Sequence, residues 1–392
     1  MKIIHTGDWH IGKIVNQVYM TLDQEYILNW LVEFIKDERP DVLVIAGDVY
    51  DRAVPPVEAV ELLDRFFSQV VLDLKVPVLV IAGNHDSPDR LGFGSGILEA
   101  KGLYIEGRLR KDIRKITLKD EHGPVNFFLV PYSTPAVVRD VFGRDDIHDH
   151  NSAMQAIIEA IYEIWDSDER NVLVTHGFVT GSEALELSES EKPLSFTASI
   201  GGVDNVDVNL FAEFSYTALG HLHGPQKVGS SRVRYAGSLL KYSFSEVTQK
   251  KSFTVVTLEA DGTVNLDLKE ISPRRDMRRI KGTLKELLNP SVYKESNVED
   301  YLHVTLSDEG GLIEPMSRLR TVYPNVLALD FEIKERIAGE AKTAAGTGYK
   351  SKSKLELFRD FYCDITGKEF NSEKAAILAK VIGTVEAEER GL

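Results

Sequence analysis

Seven residues, Asp8, His10, Asp48, Asn84, His176, His221 and His223, are of types that bind transition-metal ions, and each stands at the end of a short apolar run. The plainest case is VPVLVIAGNHD, Val76 to Asp86. Its β-branched and aliphatic residues read as a strand buried on both faces, and the strand stops at Gly83. Asn84, His85 and Asp86 follow at once. Lys2 to Thr6 leads in the same way into Gly7-Asp8-Trp9-His10, and Asp41 to Ala46 into Gly47-Asp48; later runs end in His176 and in Gly220-His221-Leu222-His223. An apolar strand has no structural need for such side chains at its carboxyl end, whereas open α/β sheets bind ligands there.

Mixed carboxylate, imidazole and amide ligands suit Mn²⁺, Fe²⁺ or Zn²⁺ better than the oxygen-preferring Ca²⁺ or Mg²⁺. Seven are too many for one ion and natural for two that share a carboxylate, for which Asp48 is the candidate. A cation pair ~3.5–4 Å apart can clamp both oxygens of an in-line displacement at phosphorus.

The elements that must position these residues can be read next. Met20 to Asp37 has helical apolar spacing and closes a β-α-β unit onto Asp41 to Ala46; Val57 to Leu72 is a second amphipathic helix. Strand and helix alternate at short spacing, which predicts a largely parallel inner sheet. A helical segment from Arg90 to Ala100, strands near Ile113 to Leu118 and Val125 to Val130, a helix at Ser152 to Trp165 and a strand at Asn171 to Thr175 follow. From Gly181 to Gly202 the acidic, Ser-rich sequence reads as a mobile surface loop. Strands at Tyr216 to Leu219, Arg232 to Ala236, Ser252 to Leu258 and Val264 to Ile271 make the later part look antiparallel. Two sheets face to face with helices outside give the expected fold class, a four-layer α/β/β/α sandwich.

Ile271-Ser272-Pro273 marks a boundary, so residues 1–272 form the main domain and 273–340 a small α+β unit. Lys342 to Lys354 has the small and basic composition of a tether, which makes 341–354 a flexible linker. Residues 355–392 regain apolar positions in two helices that cannot bury such faces on each other well; a partner surface is their expected destination, with docking back on the main domain as the alternative.

The formal net charge of −15 argues against indiscriminate nucleic-acid binding. The basic residues are nevertheless clustered, with Lys241 in one stretch and Arg274, Arg275, Arg278 and Arg279 in the next. Cys363 is the sole cysteine, which agrees with a reducing compartment. No apolar run approaches the ~20 residues that span a bilayer, and the sequence opens on a strand, so a cytoplasmic location without membrane contact is expected.

D-x-H (Asp8, His10), G-D (Gly47, Asp48), G-N-H-D (Gly83 to Asp86), the strand-end His176 and G-H-x-H (Gly220 to His223) resemble, in order and complete, the motifs of calcineurin-like metallophosphoesterases. HTGDWHIG, GDVYDRAVPP, GNHDSPDRL and GHLHGPQ followed by YAGSLLKYSFSE are similar to the SbcD family, nuclease subunits of bacterial SbcC–SbcD complexes. The resemblance implies that Asp8, His10 and His223 bind one ion, Asn84, His176 and His221 a second, and Asp48 both. It implies His85 as the catalytic histidine, with Asp86 orienting its loop; Asp51, near Asp48, reads as a loop or supporting group and not as a ligand. It further implies two Mn²⁺ ions, replaceable by Fe²⁺, Zn²⁺ or Mg²⁺; 3′-to-5′ exonuclease action on double-stranded ends; and endonuclease action on single strands and hairpins in DNA repair and recombination. The implied partners are DNA ends and hairpins, a second copy of the chain through the helices near Val57 to Leu72 and Asp89 to Ala100, and the SbcC ATPase in a heterotetramer. On the same ground residues 273–340 would cap bound DNA, with Arg274, Arg275, Arg278, Arg279 and Lys241 as candidate contacts, and 355–392 would dock on SbcC.

Two other functions fit the same residues: a two-metal phosphodiesterase or phosphatase acting on small molecules or proteins, and a non-catalytic scaffold for DNA ends. His5 reads as a core histidine, and His122, His148, His150 and His303 as surface ones.

Overall fold

Val42 and Val44 face one hydrophobic core while Leu43 and Ile45, the residues between, face another. A strand that alternates between two cores must be apolar throughout, which is why these segments stand out as continuous runs. The computed structural model of the protein describes residues 1–191, 205–308, 311–332 and 352–389. They fall into two units, Met1–Asp330 and Phe331–Leu392.

In the first unit, β1 (Lys2–Thr6), α1 (Thr21–Glu38), β2 (Val42–Ala46), α2 (Val57–Phe67), β3 (Val78–Ile81) and β4 (Leu103–Glu106) follow as β-α-β units. β5 (Arg114–Asp120), β6 (Gly123–Val130), α3 (Pro135–Phe142), α4 (His150–Tyr162) and β7 (Arg170–His176) come next. β8 (Tyr216–Gly220), β9 (Gln226–Val228), β10 (Ser230–Tyr235), β11 (Ser252–Leu258) and β12 (Val264–Glu270) complete two six-stranded sheets. Their strand orders are β12-β11-β1-β2-β3-β4 and β9-β10-β8-β7-β6-β5. Ile3, Val44 and Ile81 of the first meet Phe127, Val174 and Tyr216 of the second in the central core. α1 and α2 cover the outer face of one sheet, and α3 and α4 that of the other. The four-layer sandwich expected from the sequence is the fold.

The later strands are antiparallel, as expected, in the β11–β12 hairpin and the β9–β10 edge pair, but not at β8. β8 runs parallel to both β7 and β10, and β11 and β12 return to the first sheet as a hairpin against β1. The cause is β9, a short edge strand that reverses at Gly229 (φ 65°) before β10 enters, restoring the direction of β8. The helix expected over Val57 to Leu72 leaves α-geometry at Phe67 for a π-helical turn, Ser68–Asp73. The segment from Arg90 to Ala100 is broken into single turns around Gly92-Phe93-Gly94.

Part of the basic run lies on a strand. β13 (Met277–Gly282), β14 (Tyr301–Leu306), α5 (Pro315–Arg320) and β15 (Val326–Phe331) form a three-stranded sheet with its own core of Leu284, Leu302, Val304, Leu319 and Val326. Exposed Arg279 and Lys281 flank half-buried Ile280, and buried Met277 opens the strand, a pattern that the charges hid.

The second unit contains α6 (Lys354–Thr366) and α7 (Ser372–Glu389). A reciprocal Ser353–Glu356 capping box starts α6. Phe358, Tyr362 and Phe370 cluster, while Phe361, Ile377 and Val381 stay exposed. Most of the segment expected as a linker, and residues 192–202 of the expected mobile loop, lie outside the described residues. No described helix is long and apolar enough to cross a membrane.

Candidate metal centre

The carboxyl ends of β1, β2, β3, β7 and β8 open on one edge and carry all seven candidate ligands, His176 as the last residue of β7 and the other six in the loops that follow. Asp8 at φ 52°, His10 at 47° and Asp48 at 49° hold left-handed backbone. Such conformations cost non-glycine residues on the order of 1–3 kcal/mol and persist where the surroundings enforce them. Backbone bonds from Asp8 to Gly47 O and from His10 to Asp48 O do so here by lacing the first two loops together. Glycines permit the approach: a Cβ on Gly220 would fall inside contact distance of Ala46 O, one on Gly83 against Asp48, and one on Gly47 against His176.

His10 Nε2 lies 3.0 Å from His223 Nε2 and 3.7 Å from Asp48 Oδ2. Asp8, His10 and His223 offer ligand atoms to one point, and Asp8, Asp48 and His176 to another. His176 Nδ1 meets Ala46 O at 2.9 Å; the carbonyl only accepts, so Nδ1 carries the proton and Nε2 is a bare lone pair. That Nε2 faces Asn84 Oδ1 at 3.0 Å and Asp48 Oδ2 at 3.5 Å. Three electron-pair donors thus converge with no proton among them, an arrangement that a cation fits. His221 edges on His176, ring centroids 5.5 Å apart, and its backbone N–H donates to both oxygens of Asp8.

Electrostatics agree with the geometry. Burial drives His10 and His221 well below the ordinary imidazole value and lowers His176 and His223, which keeps all four neutral, the form that binds metal. Burial, reinforced by the charge of Asp48, pushes the Asp8 carboxyl up. A nearby divalent cation reverses that penalty.

The supporting residues divide. Asp86, pushed up to about 7 by burial and by Asp48, accepts from the backbone N–H groups of Val49, Tyr50 and Gly83 and so joins the second and third loops. Asp51 binds Lys13 at 2.8 Å and lies 3.7 Å from His10 Nδ1. His85 is half-buried; its N–H donates to Asp48 Oδ1 and its Nδ1 to Asp51 O at 2.7 Å.

Sequence reasoning missed the surroundings of His223. Ser190 Oγ is 2.6 Å and Glu246 Oε1 3.4 Å from its Nδ1, and Glu191 accepts its backbone N–H. Burial opposes ionisation of Glu246, but the hydrogen bond with His223 and the charge of Lys251 hold its carboxyl well below the usual range. The stretch expected as a surface loop therefore reaches the centre with Ser190 and Glu191; its Ser-rich composition gave no sign of this. His150 is half-buried, stacked on Tyr132, which is edge-on to His176.

Of the basic candidates, Arg275 binds Asp23, Arg278 binds Asp300 and Lys241 binds Asp276, whereas Arg274 and Arg279 are exposed.

Among solved structures the chain matches TT1561 of Thermus thermophilus (12% identity, TM-score 0.39, covering 68% of this chain and 98% of that one). It also matches a dimetal phosphatase from Danio rerio (12%, 0.40, 69% and 96%) and a 5′-nucleotidase precursor from Thermus thermophilus (12%, 0.34, 70% and 54%). The family model described as calcineurin-like phosphoesterase matches residues 1–225. The SbcD C-terminal model, described as the type 5 capsule protein repressor C-terminal domain, matches residues 273–365. With more than half its length matched by the first model, and with this cluster of ligand atoms inside the matched part, the chain belongs to the calcineurin-like phosphoesterase family and carries an SbcD-type C-terminal domain.

Proposed function

We propose that the protein is a Mn²⁺-dependent DNA nuclease that processes ends and hairpins together with an ATPase partner in DNA repair and recombination. The observation that carries this reading is the pairing of the lone-pair cluster around Asp48 with the SbcD-type domain. The first gives phosphoester hydrolysis and the second favours DNA among phosphoesters.

Asp8, His10 and His223 would hold one cation, Asn84, His176 and His221 the other, and Asp48 both. Bound there, a cation pair supplies an activated water and neutralises charge on the phosphate oxygens. His85 acts on the leaving group. With Nδ1 donated to Asp51 O, its Nε2 is the atom left to carry a proton to the departing oxygen. Asp86 keeps His85 in place by tying Gly83 to Val49 and Tyr50.

Action would be 3′-to-5′ on duplex ends and endonucleolytic on single strands and hairpins. The three-stranded sheet would cap the DNA, with exposed Arg274 and Arg279 closest in character to phosphate contacts. The exposed Phe361, Ile377 and Val381 of the second unit would meet the SbcC-type partner. Two copies of the chain would pair through α2 and the broken segment after it.

An end-labelled DNA hairpin incubated with Mn²⁺, with and without the partner, tests this. Mn²⁺-dependent release of nucleotides and opening of the hairpin is expected. Turnover of a generic phosphate ester with intact DNA would overturn it.

A further inference from the structure

Asp23 and Gln24 occupy the first turn of α1 and are 0% and 4% exposed, yet neither belongs to the ligand cluster. Asp23 faces the three-stranded sheet. Its carboxylate accepts from Arg275 Nε at 3.0 Å and Nη2 at 2.7 Å, and from the Tyr301 hydroxyl at 2.7 Å. Gln24 faces the loop that carries His10. Its Nε2 donates to His10 O at 2.8 Å and to Trp9 O at 3.3 Å, and its Oε1 accepts from Gly12 N at 3.0 Å. The Tyr242 hydroxyl completes this clamp by bonding both Gln24 and Trp9 O.

The clamped stretch includes strained backbone, with His10 at φ 47°. Strained backbone keeps its geometry only while its partners are fixed. Gln24 is fixed through α1, whose first turn is pinned on its other side by Arg275 and Tyr301. A cleft of about 400 Å³, lined in part by Met20, Lys251, Arg275, Met277 and Tyr301, interrupts the packing between sheet and sandwich at this joint. The bonds to Asp23 share the alignment there with Lys241–Asp276 and with the packing of Met277 and Tyr301 into the main core, and they are the ones that reach α1.

We propose that Asp23 and Gln24 are positioning residues that make the docking of the three-stranded sheet part of the metal centre: how Arg275 and Tyr301 hold α1 sets the affinity of the Asp8–His10–His223 site. The proposal rests on the metal assignment above. A purely structural buried ion pair would add stability, or none, without touching metal binding.

The test uses the full chain and Mn²⁺ alone, titrated by calorimetry and electron paramagnetic resonance, with melting temperatures measured alongside. Four variants are compared: Asp23→Asn, Gln24→Glu, Tyr301→Phe and, as a matched control, Tyr323→Phe. Tyr323 also buries a hydroxyl, in the core beside the three-stranded sheet and bonded to Leu287 O at 2.9 Å, but far in the bond network from α1. Glu at position 24 cannot donate to His10 O and Trp9 O. For one of the two ions the dissociation constant is expected to rise about 10–100-fold in Gln24→Glu and about tenfold in Asp23→Asn, the range of losses from residues that orient ligands. Tyr301→Phe should weaken the same ion and Tyr323→Phe should not, although both lower the melting temperature. Wild-type affinity for both ions in Asp23→Asn and Tyr301→Phe, or equal weakening in Tyr323→Phe, overturns the coupling and leaves the metal assignment standing. A wild-type chain that binds no Mn²⁺ overturns both.

Discussion

His10 Nε2 and His223 Nε2 face one another at 3.0 Å, although 213 residues separate them in the chain. Both imidazoles are buried and held neutral. Two such nitrogens are kept close either by a shared proton or by a cation that takes both lone pairs. The carboxylates of Asp8 and Asp48 beside them favour the cation, because burying two like charges without one is costly.

His85 forms a cluster with His10 and Asp51 that could itself hold a cation, so its proposed role as proton donor is tested by separating binding from cleavage. Its imidazole touches Asp51 O and, edge-on, the ring of His10, with centroids 4.6 Å apart. His85→Asn is expected to retain wild-type Mn²⁺ stoichiometry in calorimetry and to lose cleavage by about 10²–10⁴-fold, the usual worth of a positioned proton donor. Retained activity would remove His85 from the reaction.

The glycines at the strand ends set how near the two sheets come. A Cβ on Gly220 would collide with Ala46 O, which is backbone and cannot swing aside. Gly220→Ala should lower unfolding free energy by at least about 2 kcal/mol, as overpacking of a rigid site does. Gly123→Ala has open space around the new methyl group and pays only for its φ of 109°. Urea unfolding of the two variants compares a collision with a conformational penalty alone.

The ends of the strands were readable because a strand buried on both faces is an unbroken apolar run, and polar side chains immediately after it have no packing role. What lay beyond reading has its meaning only in three dimensions. Glu246 and Ser190 resemble any surface polar residues until both are seen at Nδ1 of His223. Asp23 and Gln24 look like the solvated start of a helix, yet both are buried. The direction of β10 depends on a reversal at Gly229 that hydrophobic patterning does not encode, and the basic run could not disclose that Arg275 and Arg278 are engaged by Asp23 and Asp300.

His5 predicts the acid side of the stability curve. Burial between the sheets lowers it to about 3, with Nε2 donating to Leu219 O and Nδ1 accepting from the Tyr216 hydroxyl. The unfolded chain takes up a proton near pH 6.5 that the folded chain refuses. Its contribution is therefore intact above pH 6.5 and is lost as pH falls towards 3, by about 1.4 kcal/mol per pH unit. His5→Gln should show a slope shallower by about that amount between about pH 6 and 4.5 in denaturant titrations. Parallel curves would show that His5 is protonated in the folded state.

Phe93 and Ile97 are 84% and 80% exposed beside an apolar groove of about 480 Å³ lined by Val60, Leu63, Phe67, Leu72 and Leu98. Such a surface is expected to pair two copies of the chain. Light scattering should give twice 43.9 kDa for the wild type and 43.9 kDa for a Phe93→Asp, Ile97→Asp double variant. A wild-type monomer at micromolar concentration would contradict the pairing.

Diffraction at the manganese absorption edge, from a crystal grown with Mn²⁺, tests the two-cation centre most directly. Two anomalous peaks about 3.5–4 Å apart are predicted, with Asp48 between them, one beside His10 and His223 and the other beside Asn84 and His176. A single peak, or a pair that Asp48 does not join, would contradict it.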